Sequence, residues 1–212
     1  MSYLLKPSIS PVEPTVFSLQ KLIGYSKGET FNQEELQLAK TKAIQFLFKE
    51  TTQLRKSSSG QPFLTLSNGG TSALSISHNK LFLALISAPP SFSLGVDIES
   101  YRESISNLAP RFLSEEECHL VQLRIQNDPR SSSSLEKIYC TQLWCAKEAA
   151  YKVLSSKHPE VDFRRYYKVA CFSDHHALLH YLGENPISLV IHFFLHSSYC
   201  LAYTQISREK IS

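Results

Sequence analysis

The chain has 212 residues, 42% of them hydrophobic and 19% charged, a balance that suits a globular protein with an ample core. Its formal net charge of +3 is too mild for a nucleic-acid-binding protein, and no long basic run adds to it. No apolar run reaches membrane-spanning length, so neither a nucleic acid nor a membrane is expected as a partner.

The opening MSYLLKPSISPVEPTV is broken by Pro7, Pro11 and Pro14 and lacks an apolar stretch of signal-peptide length, so no export signal is expected. The five cysteines (Cys118, Cys140, Cys145, Cys171 and Cys200) are odd in number and lack metal-type clustering. Free, mostly buried thiols in a cytoplasmic protein are the simplest inference. FNQEELQLAKTKAIQFLFKE, Phe31 to Glu50, reads as a helix with Leu36, Ala39, Ala43, Phe46 and Leu47 inward. A loop follows at Ser57 to Gly60. ALSISHNKLFLALI, Ala73 to Ile86, reads as a hairpin that turns near Asn79 and Lys80.

The next strand, SFSLGVDIE at residues 91 to 99, alternates strictly. Phe92, Leu94, Val96 and Ile98 face one way; Ser93, Gly95, Asp97 and Glu99 face the other. Asp97 and Glu99 therefore project from one face with Cα atoms roughly 7 Å apart, close enough to converge on one hard cation such as Mg²⁺. Gly95 leaves room on that face for a phosphate or a backbone. By itself, an Asp-x-Glu pair also fits an ordinary polar strand face.

Ser114 and Glu117 in SEEECHLVQL form a capping box, and NDPRSSSS, Asn127 to Ser134, ends that helix in a loop. A second helix follows, carrying WCAKEAAYK at Trp144 to Lys152. Leu135, Ile138, Tyr139, Leu143, Ala146, Ala149, Ala150 and Val153 form its core stripe, while Trp144, Lys147, Glu148, Tyr151 and Lys152 lie opposite. Glu148 and Lys152 make an i,i+4 pair worth ~0.3–0.5 kcal/mol, which suits a solvated face with Lys147 as a solvated or rim charge. Trp144 argues otherwise, because an indole left in water forfeits its burial energy. Something is expected to cover this face.

ISLVIHFFL (Ile187 to Leu195) and YCLAYTQI (Tyr199 to Ile206) flank His196-Ser197-Ser198 as a second hairpin. His78 precedes Ala84 by the interval that separates His196 from Ala202, which hints at an internal duplication. The expected fold is then α+β, a pseudo-dimer of two similar halves, residues 1–100 and 101–212. Each half is an antiparallel sheet with a packed helix, and the site lies at their interface.

GVDIE at 95 to 99 together with WCAKEAAYK at 144 to 152 resembles the two-part signature of the 4′-phosphopantetheinyl transferase superfamily. SGQP (Ser59 to Pro62), SISH (Ser75 to His78) and RFLSEEE (Arg111 to Glu117) extend the resemblance in the expected order. Because GVDIE begins only at residue 95, the chain resembles the larger single-chain pseudo-dimeric type, active as a monomer. The resemblance implies transfer of the phosphopantetheine arm of coenzyme A to a serine of an apo acyl, peptidyl or aryl carrier protein, releasing adenosine 3′,5′-bisphosphate. It implies Asp97, Glu99 and Glu148 as Mg²⁺ ligands, Lys152 on the coenzyme A phosphates, and Ser77 and His78 beside the nucleotide phosphates. Arg55 and Lys56 stand where such enzymes often carry a cation for the 3′-phosphate. Glu148 is the implied base for the carrier serine, directly or through water. Trp144 would be covered by the other half and the cofactor.

This sequence departs from the family pattern in reading Gly60-Gln61-Pro62 where Gly-Lys-Pro is usual. SSKHPEV, Ser155 to Val161, lacks the glycine often found after the signature. A non-catalytic carrier-protein or nucleotide-binding module of the same fold, and a Mg²⁺-dependent phosphohydrolase using the same carboxylates, stand as the alternatives.

Overall fold

A computed structural model describes residues 13–24, 32–48, 53–58, 60–130, 134–158 and 161–211. Pro7, Pro11, Ser59 and parts of NDPRSSSS and SSKHPEV lie outside the described residues. The chain begins with β1 (Thr15–Ser18), α1 (Leu19–Ile23) and α2 (Gln33–Phe48). A meander of β2 (Gln53–Lys56), β3 (Pro62–Thr65), β4 (Thr71–His78) and β5 (Phe82–Ala88) follows. The pattern then recurs: β6 (Phe92–Ser100), the helices α3 (Ser104–Phe112), α4 (Glu115–Gln126), α5 (Leu135–Leu154) and α6 (Phe163–Tyr166), and a meander of β7 (Tyr167–Phe172), β8 (His176–Tyr181), β9 (Ile187–Leu195) and β10 (Tyr199–Ser207).

All pairings are antiparallel, in the orders β1-β5-β4-β3-β2 and β6-β10-β9-β8-β7. Each sheet is thus one strand, a helical excursion and a four-stranded meander whose last strand returns to pair with the first. The α+β pseudo-dimer expected from the sequence is this arrangement. Since β6 opens the second sheet, the sheets divide between β5 and β6, ahead of the boundary expected at residue 100.

The two hairpins correspond through their turns, in which Asn79 N–H donates to Phe82 O and His196 N–H to Tyr199 O. That equivalence pairs Ala84 with Leu201, not with Ala202. Ala84 and Leu201 both lie in the core between the sheets, whereas Ala202 faces α5. The His-to-Ala match in the sequence is therefore one residue out of register, and a one-residue slip sends every side chain to the wrong face.

The layers run α2, first sheet, second sheet, α5. Ala39, Ala43 and Ile44 of α2 pack on Leu64, Leu74, Leu83 and Leu85. Phe46, expected inward, is 70% exposed and makes a T-shaped contact with Phe17. Burial of Ile44 rotates the inward face away from it. Between the sheets, Ala84, Ile86 and Ala88 meet Leu94, Val96, Ile98 and Leu201. On the far side, α5 packs across β6 so closely that a Cβ on Gly95 would lie 1.9 Å from Ala149 O. The room left by Gly95 admits a helix backbone.

Candidate active site

Strand β6 lies at the edge of its sheet and runs alongside β4 of the other. An exposed edge would leave backbone groups unpaired. Here Val96 N–H donates to Ser75 Oγ at 3.1 Å, Ile98 N–H to Ser77 Oγ at 3.4 Å, and Val96 O accepts Lys152 Nζ at 2.9 Å. The serines of SISH and the last lysine of WCAKEAAYK thereby close the edge.

Asp97 extends toward α5. Its Oδ1 accepts Ser77 Oγ at 2.7 Å and Lys152 Nζ at 2.8 Å, while its buried Oδ2 has no hydrogen-bond partner. Glu99 meets Arg102 at 3.5 Å. Burial, then the Asp97 charge, raises its carboxyl above the usual carboxylate range. Glu148 is held in the same field, with burial first and Asp97 second pushing it up to about 7. Asp97, Glu99, Glu148, Lys152 and Ser77 are thus gathered where β4, β6 and α5 meet.

Among the described residues, no three His, Cys, Asp or Glu side chains converge closely enough to hold a metal as they stand. The donor chemistry nevertheless suits a hard cation: one buried carboxylate oxygen lacks a partner, and two neighbouring carboxyls are penalised for ionising together.

His78 ends β4 beside Ser77. Partial burial, then Lys40 and Lys152, lowers its imidazole pKa, which places it in a field of cations. Lys40, on α2, is itself lowered by burial and by Lys56. Lys40 escaped the sequence reading because its helix phase marks it as surface; only the meander brings β2 and β4 alongside. Lys56 joins this group. Arg55 is exposed on β2 and donates to Gln53 Oε1 at 2.9 Å. Adjacent strand residues point to opposite faces, so Arg55 and Lys56 do not share one.

Gln61 has a place of its own. The turn from Ser57 to Gln61, with Gly60 at φ +83°, aims its side chain across the interface, where Nε2 donates to Lys152 O at 3.1 Å. That carbonyl lies in the last turn of α5, among those without an intrahelical donor. Gln61 ties the first half to the helix that carries Glu148 and Lys152.

The polar arc of α5 is not solvated. Lys147 is fully buried, its ammonium donating to Phe112 O (2.8 Å), Glu117 Oε2 (2.7 Å) and Phe163 O (3.1 Å). Glu117 also accepts Ser114 N–H in the expected capping box and Val169 N–H at 2.8 Å. The expected rim charge is instead a fully satisfied buried pair, because α3, α4 and α6 wrap the side of α5 that helical phase assigns to solvent. Trp144 is covered likewise, by Phe112 and Phe163 at centroid distances of 5.0 and 5.6 Å. Its cover comes from its own half. Trp144, Phe112, Phe163 and Tyr151 line an apolar pocket of about 620 Å³, with Glu148 and Arg111 in its wall.

Among the described residues, no helix is long and apolar enough to cross a membrane, and all five cysteines are free thiols. No curated protein sequence matches the chain. The sequence profile of the 4′-phosphopantetheinyl transferase superfamily matches residues 93–204, which run from β6 through α5 to β10. A match over more than half of the chain, spanning the carboxylates and the helix above them, means that this protein belongs to the 4′-phosphopantetheinyl transferase superfamily.

Proposed function

We propose that the protein transfers 4′-phosphopantetheine from coenzyme A to a serine of an apo carrier protein, as a holo-carrier-protein synthase acting through a single chain. The observation that carries this reading is Asp97: a buried carboxylate with one oxygen bound by Lys152 and Ser77, the other orphaned, and Glu99 and Glu148 in its field.

Asp97, Glu99 and Glu148 would hold Mg²⁺. When bound, that ion neutralises the pyrophosphate and polarises the phosphorus under attack. Lys152, whose ammonium lies 2.8 Å from Asp97 Oδ1, would supply the cation for the leaving phosphate. Glu148 would take the serine proton, directly or through water; without the ion, burial and Asp97 push its carboxyl up to about 7, and a bound cation would draw it back down. Lys40, Lys56 and His78 offer their combined field to the 3′-phosphate, with Ser77 at its border. Arg55 contributes less, being engaged with Gln53. The apolar pocket beside Glu148 suits the largely uncharged pantetheine arm, and its volume falls in the usual range for small-molecule sites.

The test is to incubate the protein with coenzyme A, Mg²⁺ and candidate apo-carriers and to read intact masses. Gain of a phosphopantetheine group on the carrier is the expected result. Cleavage of coenzyme A without transfer would favour a phosphohydrolase, and binding without either would favour a non-catalytic module.

A further inference from the structure

On the face of the second sheet opposite α5, on the strands beyond β10 from β6, His176 of β8 and His192 of β9 are direct cross-strand partners. Phe193 N–H donates to His175 O at 2.7 Å, which makes the 176/192 pair a non-hydrogen-bonded position of the ladder. At such positions the Cα atoms approach to about 4.5 Å, and same-face side chains stand at their closest. Both rings are braced. His176 Nδ1 lies 3.4 Å from Ser173 Oγ, and His192 stacks on Tyr203 with centroids 5.2 Å apart and planes 26° from parallel. Hydrogen bonding at one ring nitrogen is how proteins orient the other toward a metal. Burial and the neighbouring His176 lower the His192 pKa, which favours the neutral form that ligates. Val190 and Phe194 on the same face of β9 are 51% and 53% exposed, so the surface is open to solvent.

We propose that His176 and His192 form a two-imidazole site for a divalent transition metal, separate from the carboxylate site. Among the described residues no third His, Cys, Asp or Glu converges on the pair, so water completes the coordination shell. Imidazole nitrogen selects Cu²⁺, Ni²⁺ or Zn²⁺, and Cu²⁺ most strongly, whereas carboxylates select Mg²⁺. A bound ion would cross-link β8 and β9 and, by binding only the folded chain, raise its melting temperature.

The test titrates untagged protein with Cu²⁺ in the presence of excess Mg²⁺. One equivalent should bind with two nitrogen ligands in the electron paramagnetic resonance spectrum and raise the melting temperature. His176→Ala and His192→Ala should each weaken that binding at least tenfold. Wild-type affinity in either variant, a spectrum without two nitrogens, or displacement by Mg²⁺ would overturn the assignment. Should an alanine variant fail to fold, His176→Gln and His192→Gln take its place, and wild-type affinity in either would likewise overturn the assignment.

Discussion

Burial and the Asp97 charge hold the Glu148 carboxyl at about 7, against 4.5 for an ordinary glutamate, so the folded protein keeps a proton that the unfolded chain has released. Between those two values the folded state binds more protons than the unfolded one. The contribution of this group to stability therefore falls as pH rises through the window and is level outside it. Metal-free Glu148→Gln should lose less stability than wild type over that range in urea titrations. Parallel profiles would show that Glu148 is not held in the Asp97 field. The same carboxylates carry the proposed transfer, so Asp97→Ala and Glu148→Ala should each abolish carrier modification while keeping the wild-type circular dichroism. Undiminished transfer by either variant in EDTA would remove these side chains from the chemistry. Asp97 and Glu99 were legible because a period of two fixes which strand residues share a face. The orphaned Oδ2 was not, since it depends on Ser77 and Lys152 arriving from two other elements.

Helix α5 joins the layers, and its phase alone gave half of its environment. The apolar stripe is buried as expected, but phase says nothing of what lies on the other side. Lys147 lies there, and three helices cover it. Replacing it with Met leaves Glu117 buried without its counter-charge, which should cost about 3–5 kcal/mol. Glu117→Leu combined with Lys147→Met should restore much of that loss, because removing both charges removes the desolvation penalty. Equal destabilisation of the single and double variants by urea would mean that packing, not charge, sets the cost. On the opposite face, Gly95 lets Ala149 O approach β6. A methyl at 95 would collide with that carbonyl, so Gly95→Ala should cost about 1–3 kcal/mol or more and displace Glu148 and Lys152 from Asp97. A Gly95→Ala protein as stable and active as wild type would show that α5 can stand off from β6 without harm.

Across the whole molecule, the proposed reading divides the chemistry between the two repeats. The second supplies the carboxylates and Lys152; the first supplies Lys40, Lys56 and His78, with Gln61 tying its loop to the carbonyl of Lys152. On the proposed reading, coenzyme A bridges the two, with its 3′-phosphate at the cations of the first half and its pyrophosphate at the carboxylate site of the second. The family resemblance implied a cation for the 3′-phosphate at Arg55 and Lys56, with glutamine in place of the usual lysine at position 61. The meander brings Lys56 into the field of Lys40, and Lys40 into that of His78, which requires α2, β2 and β4 to be folded together. A charge-assisted contact is worth roughly 1.5–3 kcal/mol, and ~1.4 kcal/mol corresponds to a tenfold change in affinity. Wild type should therefore bind coenzyme A at least tenfold more tightly than dephospho-coenzyme A, which lacks the 3′-phosphate. Lys40→Ala and Lys56→Ala should each remove much of that preference by weakening coenzyme A alone, while Arg55→Ala should change it little. Gln61→Lys should leave it near the wild-type value, because position 61 is directed at a helix carbonyl. Calorimetric titration of both ligands against the four variants decides the matter. Equal affinity of wild type for the two would mean that the cations of the first half do not read the 3′-phosphate, and a tenfold gain in Gln61→Lys would return that task to the SGQP turn.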